Sequence, residues 1–203
     1  MIIKELRQTS AERFIIAFDD GSELKTTLAV VTDFFLRTGL ELDEDRYREL
    51  VNASTLSMCK ARALRIINTR ALSRREMRDK LVEKGESPEN AEYCADWLCE
   101  MGLINDCTYA GIVVRHYAAK GYGQGRIRQE LRRHGVPNEY WDEALSEMPS
   151  QDDKIMRFIG SRLTDPHDRA EIQKISNALY RRGYSRDEIK HAFNEFTSEE
   201  DYQ

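Results

Sequence analysis

The chain has 203 residues, of which 40% are hydrophobic and 33% are charged, and its formal net charge is -5. This hydrophobic share is enough for a modest core, and the many charges with only 4 prolines favour a helical body with a large solvated surface. The sequence has neither an apolar N-terminal segment behind a basic stretch nor a run of about 18 apolar residues, which argues against a signal peptide and a membrane span. We therefore predict a cytoplasmic protein with no membrane partner.

Residues 1–57 are predicted to form a small β-hairpin and helix extension. A run rich in Phe and Ile, followed by an Asp-Asp-Gly-Ser turn, predicts a small antiparallel sheet within residues 1–28. Residues 29–37 are predicted to form a short helix that ends at Gly39, and Asp43 is the expected N-cap of the next helix. This region offers no catalytic chemistry, so we expect it to cap the first repeat or to present a sheet edge to a partner.

From residue 58 onward, one sequence frame occurs three times. Each copy has an apolar residue, a Leu four positions later, a basic residue and a Gly, followed by a Ser or Pro that can start another helix. The glycines are Gly85, Gly135 and Gly183. The apolar pairs before them are Met77 with Leu81, Ile127 with Leu131, and Ile175 with Leu179. Such a pair lies on one helix face, and a Gly in the left-handed C′ conformation ends the helix.

The frame continues beyond each glycine with apolar residues at the sixth, ninth and tenth positions. These are Ala91, Cys94 and Ala95; Trp141, Ala144 and Leu145; and Ile189, Ala192 and Phe193. A further helix is predicted upstream of each frame, at residues 60–69, 109–119 and 153–162. We therefore predict a mainly α fold, an elongated tandem array of three three-helix units that follows the N-terminal extension. The predicted units span residues 58–105, 106–149 and 150–203.

Local signals refine the helix starts in this array. The inward stripe of the first helix is predicted at Ala63, Leu64 and Ile67. Ser73 and Glu76 have the spacing of a capping box, which predicts a helix start before Met77. Either Asp106 or Thr108 can cap the first helix of the second unit.

Positive charge is concentrated in the middle of the chain. Residues 60–135 hold 15 Lys and Arg against 10 Asp and Glu, whereas residues 1–59 hold 7 against 11 and residues 136–203 hold 9 against 15. At 100° per residue, Arg128 and Arg132 fall on one flank of the predicted Ile127–Leu131 stripe, and Arg126 and Arg133 fall on the other. A single Glu130 cannot pair with all four, and surplus guanidinium groups usually have a phosphate or an acidic protein surface as partner.

We therefore predict a set of partner-binding residues, all of them Lys or Arg. It consists of Arg70, Arg74, Arg75, Arg78, Lys120, Arg126, Arg128, Arg132 and Arg133. The alternative interpretation is a solvated helical surface in which these side chains pair with nearby acids, and Glu76, Asp79 and Glu83 are available for that role.

Other motifs do not favour catalysis. The segment 121–125, Gly-Tyr-Gly-Gln-Gly, lacks the Gly-Lys-Ser/Thr of a phosphate loop and a preceding strand, so we interpret it as a flexible loop that permits close backbone approach. Cys94 occupies a core position of the frame, and the four cysteines are predicted to be reduced structural thiols, with a metal or redox site as the alternative. Without a catalytic triad, paired carboxylates or a metal cluster in the sequence, we predict neither an enzyme nor a bound cofactor.

Taken together, these segments resemble the RecX family of bacterial regulatory proteins. The matching segments are residues 70–81 with Lys84-Gly85, 102–106 with Tyr109-Ala110, 120–123 with Arg126-Ile127 and Glu130-Leu131, and 179–185. The resemblance covers roughly residues 58–196, and the N-terminal sheet resembles an extension present in part of the family. The third unit departs from the basic pattern, because it is net acidic and has Ser176 where the second unit has Arg128.

The resemblance implies a protein without catalytic activity that binds the RecA filament on DNA, and we expect the chain itself to be a monomer. It implies that the protein lies along the deep groove of that filament and inhibits ATP hydrolysis, strand exchange and the coprotease function, which moderates recombination and the SOS response. Whether the basic middle meets acidic RecA surface or the backbone of single- or double-stranded DNA stays open. The alternative is a helix-turn-helix type of nucleic-acid-binding protein that acts on DNA directly.

Overall fold

The structure is a computed structural model that describes residues 1–200. It divides the chain into two compact units, residues 1–71 with 77–104, and residues 72–76 with those from 105 onward. Both units are built mainly from helices, with one small sheet near the N-terminus, so the predicted mainly α fold with a small N-terminal β extension is confirmed. Among the described residues, no helix has both the length and the apolar character required to cross a bilayer.

The N-terminal sheet of the first unit has three antiparallel strands in the order β1, β2, β3. They span Ile3–Ser10, Arg13–Phe18 and Glu23–Thr27. The predicted turn connects β2 and β3, where Asp20 accepts a hydrogen bond from the backbone N–H of Ser22 at 2.9 Å. Ile3, Ile16 and Phe18 are almost fully buried beneath the helices that follow, which confirms the predicted sheet.

Two helices follow the sheet. Helix α1 spans Leu28–Asp33 and ends earlier than predicted, because Phe35 adopts a positive φ of 51° that turns the chain before residue 37. Helix α2 spans Glu44–Ile67, and its N-cap is the predicted Asp43, whose carboxylate accepts from the backbone N–H of Arg46 at 2.8 Å. Helix α2 runs without a break through residue 57, the predicted end of the N-terminal extension.

Helices α3 (Arg74–Glu83) and α4 (Pro88–Glu100) complete the first repeat. Ser87 caps α4 by accepting from the backbone N–H of Asn90 at 3.2 Å, and Pro88 opens the helix as expected. The prediction for Leu64 is wrong: it is 36% exposed, whereas Ala63 is fully buried. The inward face of α2 instead continues through Cys59, four residues before Ala63.

The second repeat consists of α5 (Asp106–Ala119), α6 (Gln124–Arg133), a 3-10 turn at Asn138–Tyr140 and α7 (Trp141–Ser146). Its core is centred on Ile127, Leu131 and Trp141, and the indole N–H of Trp141 donates to the carbonyl of Val136 at 3.0 Å. Neither predicted N-cap of α5 is used. Asn105 caps the helix by accepting from the backbone N–H of Thr108 at 2.9 Å.

The third repeat consists of α8 (Asp152–Gly160), α9 (Arg169–Arg181) and α10 (Arg186–Glu200). Its core contains Ile155, Ile159 and Leu179. A reciprocal capping box starts α10, in which Ser185 Oγ accepts from the backbone N–H of Glu188 at 3.1 Å and the Glu188 carboxylate accepts from the backbone N–H of Ser185 at 2.7 Å.

The threefold frame is confirmed residue by residue. The equivalent glycines have φ values of +88°, +71° and +91°, the left-handed conformation expected of a helix C′ position. All three apolar pairs before the glycines and all nine stripe residues after them are at most 9% exposed. The exact residue limits of the predicted units stay predictions.

The glycine-rich segment joins the second and third repeats through close backbone contact. The N–H of Gly123 donates to the carbonyl of Arg182 at 3.0 Å, and the N–H of Gly125 donates to the carbonyl of Gly183 at 2.9 Å. A Cβ added to Gly123 would lie 2.5 Å from the Gly183 carbonyl oxygen, and one added to Gly183 would collide with the backbone of Arg126. The glycines therefore do permit close approach, but the surface approached here belongs to the same chain.

Candidate partner-binding surface on the second repeat

Helix α6 buries an apolar stripe and carries its arginines on both flanks. Ile127 and Leu131 are fully buried, as the spacing predicted. Glu130 is also buried, with only 3% of the residue exposed, although it is charged. The helix ends at Gly135, where a Cβ would overlap the side chain of Arg75.

The buried Glu130 carboxylate organises two of the arginines. Its Oε1 lies 2.8 Å from Arg126 Nη2, and its Oε2 lies 3.5 Å from Arg133 Nη1. The arginine side chains remain 42% and 71% exposed, respectively. A buried carboxylate requires a cationic partner, so Arg126 and Arg133 have a structural role in addition to any role in binding.

The other two arginines of α6 contact α7. Arg128 Nη2 lies 2.8 Å from Asp142 Oδ1, and the guanidinium carbon of Arg132 lies 5.7 Å from the ring centroid of Trp141. Both partners lie on the next helix, so helical periodicity within α6 gives no signal for them. The expectation that Glu130 cannot serve all four arginines is confirmed, but four guanidinium groups against two carboxylates leave a surplus of two positive charges rather than three.

Arg75 supports the C-terminal end of α6. Its Nη2 donates to the carbonyls of Arg132 at 2.9 Å and Arg133 at 3.1 Å. A guanidinium here neutralises the partial negative charge of the helix end. Arg75, Arg132 and Arg133 therefore lie together at the last turn of α6, and Arg126 in the first turn is linked to Arg133 through Glu130. We call these four residues the α6 arginine cluster.

A polar network lies beneath this cluster and was only partly visible in the sequence. The predicted capping box forms, with Ser73 Oγ accepting from the backbone N–H of Glu76 at 3.0 Å. The Glu76 carboxylate also accepts from the hydroxyl of Tyr109 at 2.8 Å and lies 3.0 Å from His134 Nδ1. Ser73 Oγ donates to the carbonyl of His134 at 2.5 Å, which ties the first turn of α3 to the end of α6.

The network sets the charge of Glu76. Burial alone would raise the pKa of Glu76, but hydrogen bonds from His134, Tyr109 and the Ser73 backbone outweigh burial and hold that pKa below its usual value. The sequence provided a signal for Ser73 and Glu76, but none for their contacts with His134 and Tyr109, which lie 58 and 33 residues from Glu76.

The remaining predicted site residues are more dispersed. Lys120 lies over the ring of Tyr117, 5.3 Å from its centroid. The backbone N–H of Arg74 donates to Asp106 Oδ1 at 2.9 Å, and burial raises the pKa of that carboxyl. Arg70 and Arg78 belong to the first unit, where Arg78 is paired with Asp79 at 2.6 Å and Glu92 at 3.8 Å.

The cysteines do not form a metal site in the described part of the chain, where no group of three or more His, Cys, Asp or Glu residues is arranged to hold an ion. All four are free thiols, and Cys94 is fully buried at the core position that its register predicted. A hydrogen bond with Cys94, together with burial, raises the pKa of Cys59. Cys59 therefore stays a neutral thiol in the core of the first repeat.

Comparisons with known proteins match the first and second repeats individually and nearly the whole length of the chain. Models of the first and second three-helix domains of RecX match residues 59–98 and 105–145, respectively. The regulatory protein RecX of Trichlorobacter lovleyi is 33% identical over 145 residues, which cover 68% of this chain and 94% of that protein. The regulatory protein RecX of Caldanaerobacter subterraneus subsp. tengcongensis is 29% identical over 197 residues, or 95% of this chain and 96% of that protein. A crystal structure of regulatory protein RecX has a TM-score of 0.76 at 25% identity and covers 95% of this chain and 98% of that one.

Proposed function

The chain belongs to the RecX family of regulatory proteins, and from this premise we propose that it binds the RecA filament on DNA without being an enzyme. Binding inhibits the ATPase, strand-exchange and coprotease activities of RecA, and so moderates recombination and the SOS response. The observation that carries this proposal is the exposed guanidinium surface of α6, in a chain that aligns with a RecX protein over 95% of its length.

The chemistry of α6 suits an anionic partner. Guanidinium groups form paired hydrogen bonds with carboxylates and phosphates, and a RecA filament on DNA presents both. The Arg128 pair is held weakly, because the side chain of Asp142 is 86% exposed and exposed ion pairs contribute only about 0–1 kcal/mol. Arg128 can therefore exchange Asp142 for an anion of the partner at little cost.

A tandem of repeats also suits a polymeric partner. Once one repeat is bound, a neighbouring repeat meets the next part of the filament at a high effective concentration. Affinity can then be high although each single contact is modest. This advantage would be lost on an isolated RecA monomer, so we expect the filament to be the preferred form of RecA.

Direct binding to DNA is the second candidate, and the surplus of positive charge on α6 favours it. A protein that neutralises phosphates releases counterions, so its affinity falls steeply as salt rises. If DNA alone is the target, binding to naked DNA will appear without RecA and will show this dependence. If the filament is the target, inhibition of ATP hydrolysis will appear at protein concentrations well below those that bind naked DNA.

The deciding experiment is a titration of DNA-stimulated RecA ATP hydrolysis with the full chain. We expect inhibition by the wild type and a several-fold higher half-inhibitory concentration for the double variant Arg128→Ser/Arg132→Ala. This variant leaves both partners of Glu130 in place, whereas replacing all four arginines would strand a buried carboxylate and confuse binding with folding.

Lys174→Ala is the matched control, because it removes one exposed cation from the corresponding helix of the third repeat. It should inhibit like the wild type. No inhibition by the wild type at saturating concentration would reject the proposed function.

A further inference from the structure

An ion pair bridges the second and third helices in two of the three repeats. The arginine seven positions before the frame glycine pairs with an acid seven positions after it. In the first repeat Arg78 Nη1 lies 3.8 Å from Glu92 Oε2, and in the second Arg128 Nη2 lies 2.8 Å from Asp142 Oδ1. In the third repeat both positions are changed, because Ser176 replaces the arginine and Lys190 replaces the acid.

Loss of this bridge leaves an open groove between α9 and α10. The groove has a volume of about 610 Å³. Its apolar residues are Ile172, Tyr180, Ile189 and Phe193. Tyr180 is 60% exposed, and its counterpart in the second repeat is Arg132, which covers Trp141. The third repeat thus exposes an apolar surface at the site that an arginine shields in the second.

Two cations line the same groove. Arg186 and Lys190 lie one turn apart on α10, and both are exposed. Within the part of the chain that the structure describes, neither has an ion-pair partner; the nearby Glu188 carboxylate is engaged by the backbone N–H of Ser185 at 2.7 Å. The groove therefore combines an apolar floor with unpaired positive charge.

We propose that the α9–α10 groove binds a short peptide segment of a protein partner, one that carries an aromatic or aliphatic side chain beside one or two carboxylates. The apolar side chain covers Tyr180 and Phe193, and a carboxylate pairs with Lys190 and Arg186. This proposal depends on the proposed function in one respect, because we take the partner to be RecA, the protein component of the filament.

Charge favours a peptide over nucleic acid as the occupant. Residues 150–203, the predicted third unit, hold 9 Lys and Arg against 11 Asp and Glu, so the net negative charge of the third repeat opposes a phosphodiester backbone that runs across it. Two local cations are enough for a short acidic segment, and an apolar floor matches an apolar side chain but offers nothing to a phosphate. The second and third repeats would then recognise different features of one partner.

The test uses the full chain and a fluorescein-labelled eight-residue peptide in which Phe and Leu are flanked by Asp and Glu. The comparison peptide has Asn and Gln in place of the acids. The key variant is Ser176→Arg/Lys190→Asp, which introduces the bridge of the second repeat and closes the groove. We expect fluorescence anisotropy to show binding of the acidic peptide by the wild type, at least about tenfold weaker binding of the neutral peptide, and an equal loss in the double variant.

Lys174→Asp is the control, because it makes the same charge change as Lys190→Asp on α9 outside the groove, and it should bind like the wild type. Thermal unfolding of each variant checks the fold, and Lys190→Ala replaces the double variant if the latter is destabilised. Equal affinity for both peptides, no detectable binding, or unchanged binding by the groove variants would overturn the proposal.

Two further measurements exclude other occupants. If a labelled single-stranded oligonucleotide binds and the groove variants abolish that binding, the groove is a nucleic-acid site. If sedimentation shows self-association that the groove variants abolish, the occupant is a second copy of the chain. If the wild type inhibits RecA but does not bind the acidic peptide, only the groove proposal is rejected. If the wild type binds the peptide but does not inhibit RecA, only the proposed function is rejected.

Discussion

The second and third repeats share one interior and differ at their surfaces. Ile127 and Leu131 correspond to Ile175 and Leu179, and all four are at most 4% exposed. On the surface, however, the buried Glu130 that holds two arginines corresponds to Ala178, and Arg128 corresponds to Ser176. The frame therefore fixes helix length, turn and core, and leaves the flanks free to acquire different binding chemistry.

The largest effect should come from the shared interior. Truncation of a buried Leu costs about 2–5 kcal/mol, so Leu131→Ala and Leu179→Ala should each lower the free energy of unfolding by about 3 kcal/mol or more. Denaturant titration followed by circular dichroism will measure both. A cost below about 1 kcal/mol for Leu179→Ala alone would mean that the two interiors are not equivalent.

The joint between the repeats gives the next largest effect. Gly85→Ala should lower the free energy of unfolding by about 1–2 kcal/mol, because alanine is strained in the left-handed conformation of this residue. A Cβ at this position meets no atom within 4 Å, so no clash adds to that strain. Gly183→Ala has the same conformational cost, and its Cβ also collides with the backbone of Arg126, which should add about 1–3 kcal/mol. Equal unfolding free energies for the two variants would show that the close contact of the third repeat with α6 is not maintained in solution.

A smaller effect concerns acid sensitivity at the contact between Glu76 of α3 and His134 at the end of α6. His134 belongs to a network with Glu76, whereas the corresponding Arg182 donates at 3.5 Å to the carbonyl of Gly121 and has Ala178 rather than a carboxylate at the position of Glu130. Because the pKa of Glu76 is held below its usual 4.5, its contribution to stability is present above pH 4.5 and is lost as the pH falls through the lowered value.

Glu76→Gln should therefore be less stable than the wild type by about 1 kcal/mol at pH 7, with the difference shrinking below pH 4.5. Urea unfolding measured from pH 3 to pH 7 will follow this difference. His167→Gln is the control, because His167 is exposed on the loop before α9, and its stability should follow the wild type. A pH-independent difference for Glu76→Gln would contradict the role given to its charge.

The smallest effect is expected for Arg128→Ser, which gives the second repeat the residue of the third. The lost pair with the exposed Asp142 should cost less than about 0.5 kcal/mol in thermal unfolding. Arg126→Ala should cost distinctly more, because it takes away the closest cation from the buried Glu130. If the Arg128→Ser and Arg126→Ala variants are destabilised equally, the ion pair with the buried Glu130 contributes no more to stability than the exposed pair with Asp142.

Sequence reasoning located the features that depend on residues close together along the chain. The helix–Gly–helix frame, the capping box at Ser73 and the N-caps Asp43 and Ser87 all follow from spacings of a few residues. The buried stripes on either side of the three frame glycines follow as well, because helical periodicity decides which residues share a face.

Features that depend on contacts between helices could not be predicted in this way. The sequence presented Glu130 as one acid among four arginines, but packing against α5 determines that it is buried and must keep its cations. Asp142 and Trp141 became partners of the arginines only because α7 folds back against α6. Similarly, Asp106 was a reasonable N-cap by residue type, but the backbone N–H of Arg74 engages its carboxylate instead.

Helix α2 limits where evolution or an experimenter could detach the N-terminal sheet. One face of its 24 residues packs Leu50 beneath the sheet, and a later turn places Cys59 and Ala63 in the first repeat. A breakpoint anywhere within this rod, about 36 Å long at 1.5 Å per residue, would sever hydrogen bonds that both parts share. A shorter chain that still folds should therefore keep Asp43 and all of α2, and carry a polar residue in place of Leu50, which would be exposed without the sheet. A chimaera joined at residue 58, inside α2, should be unstable and give little protein on expression.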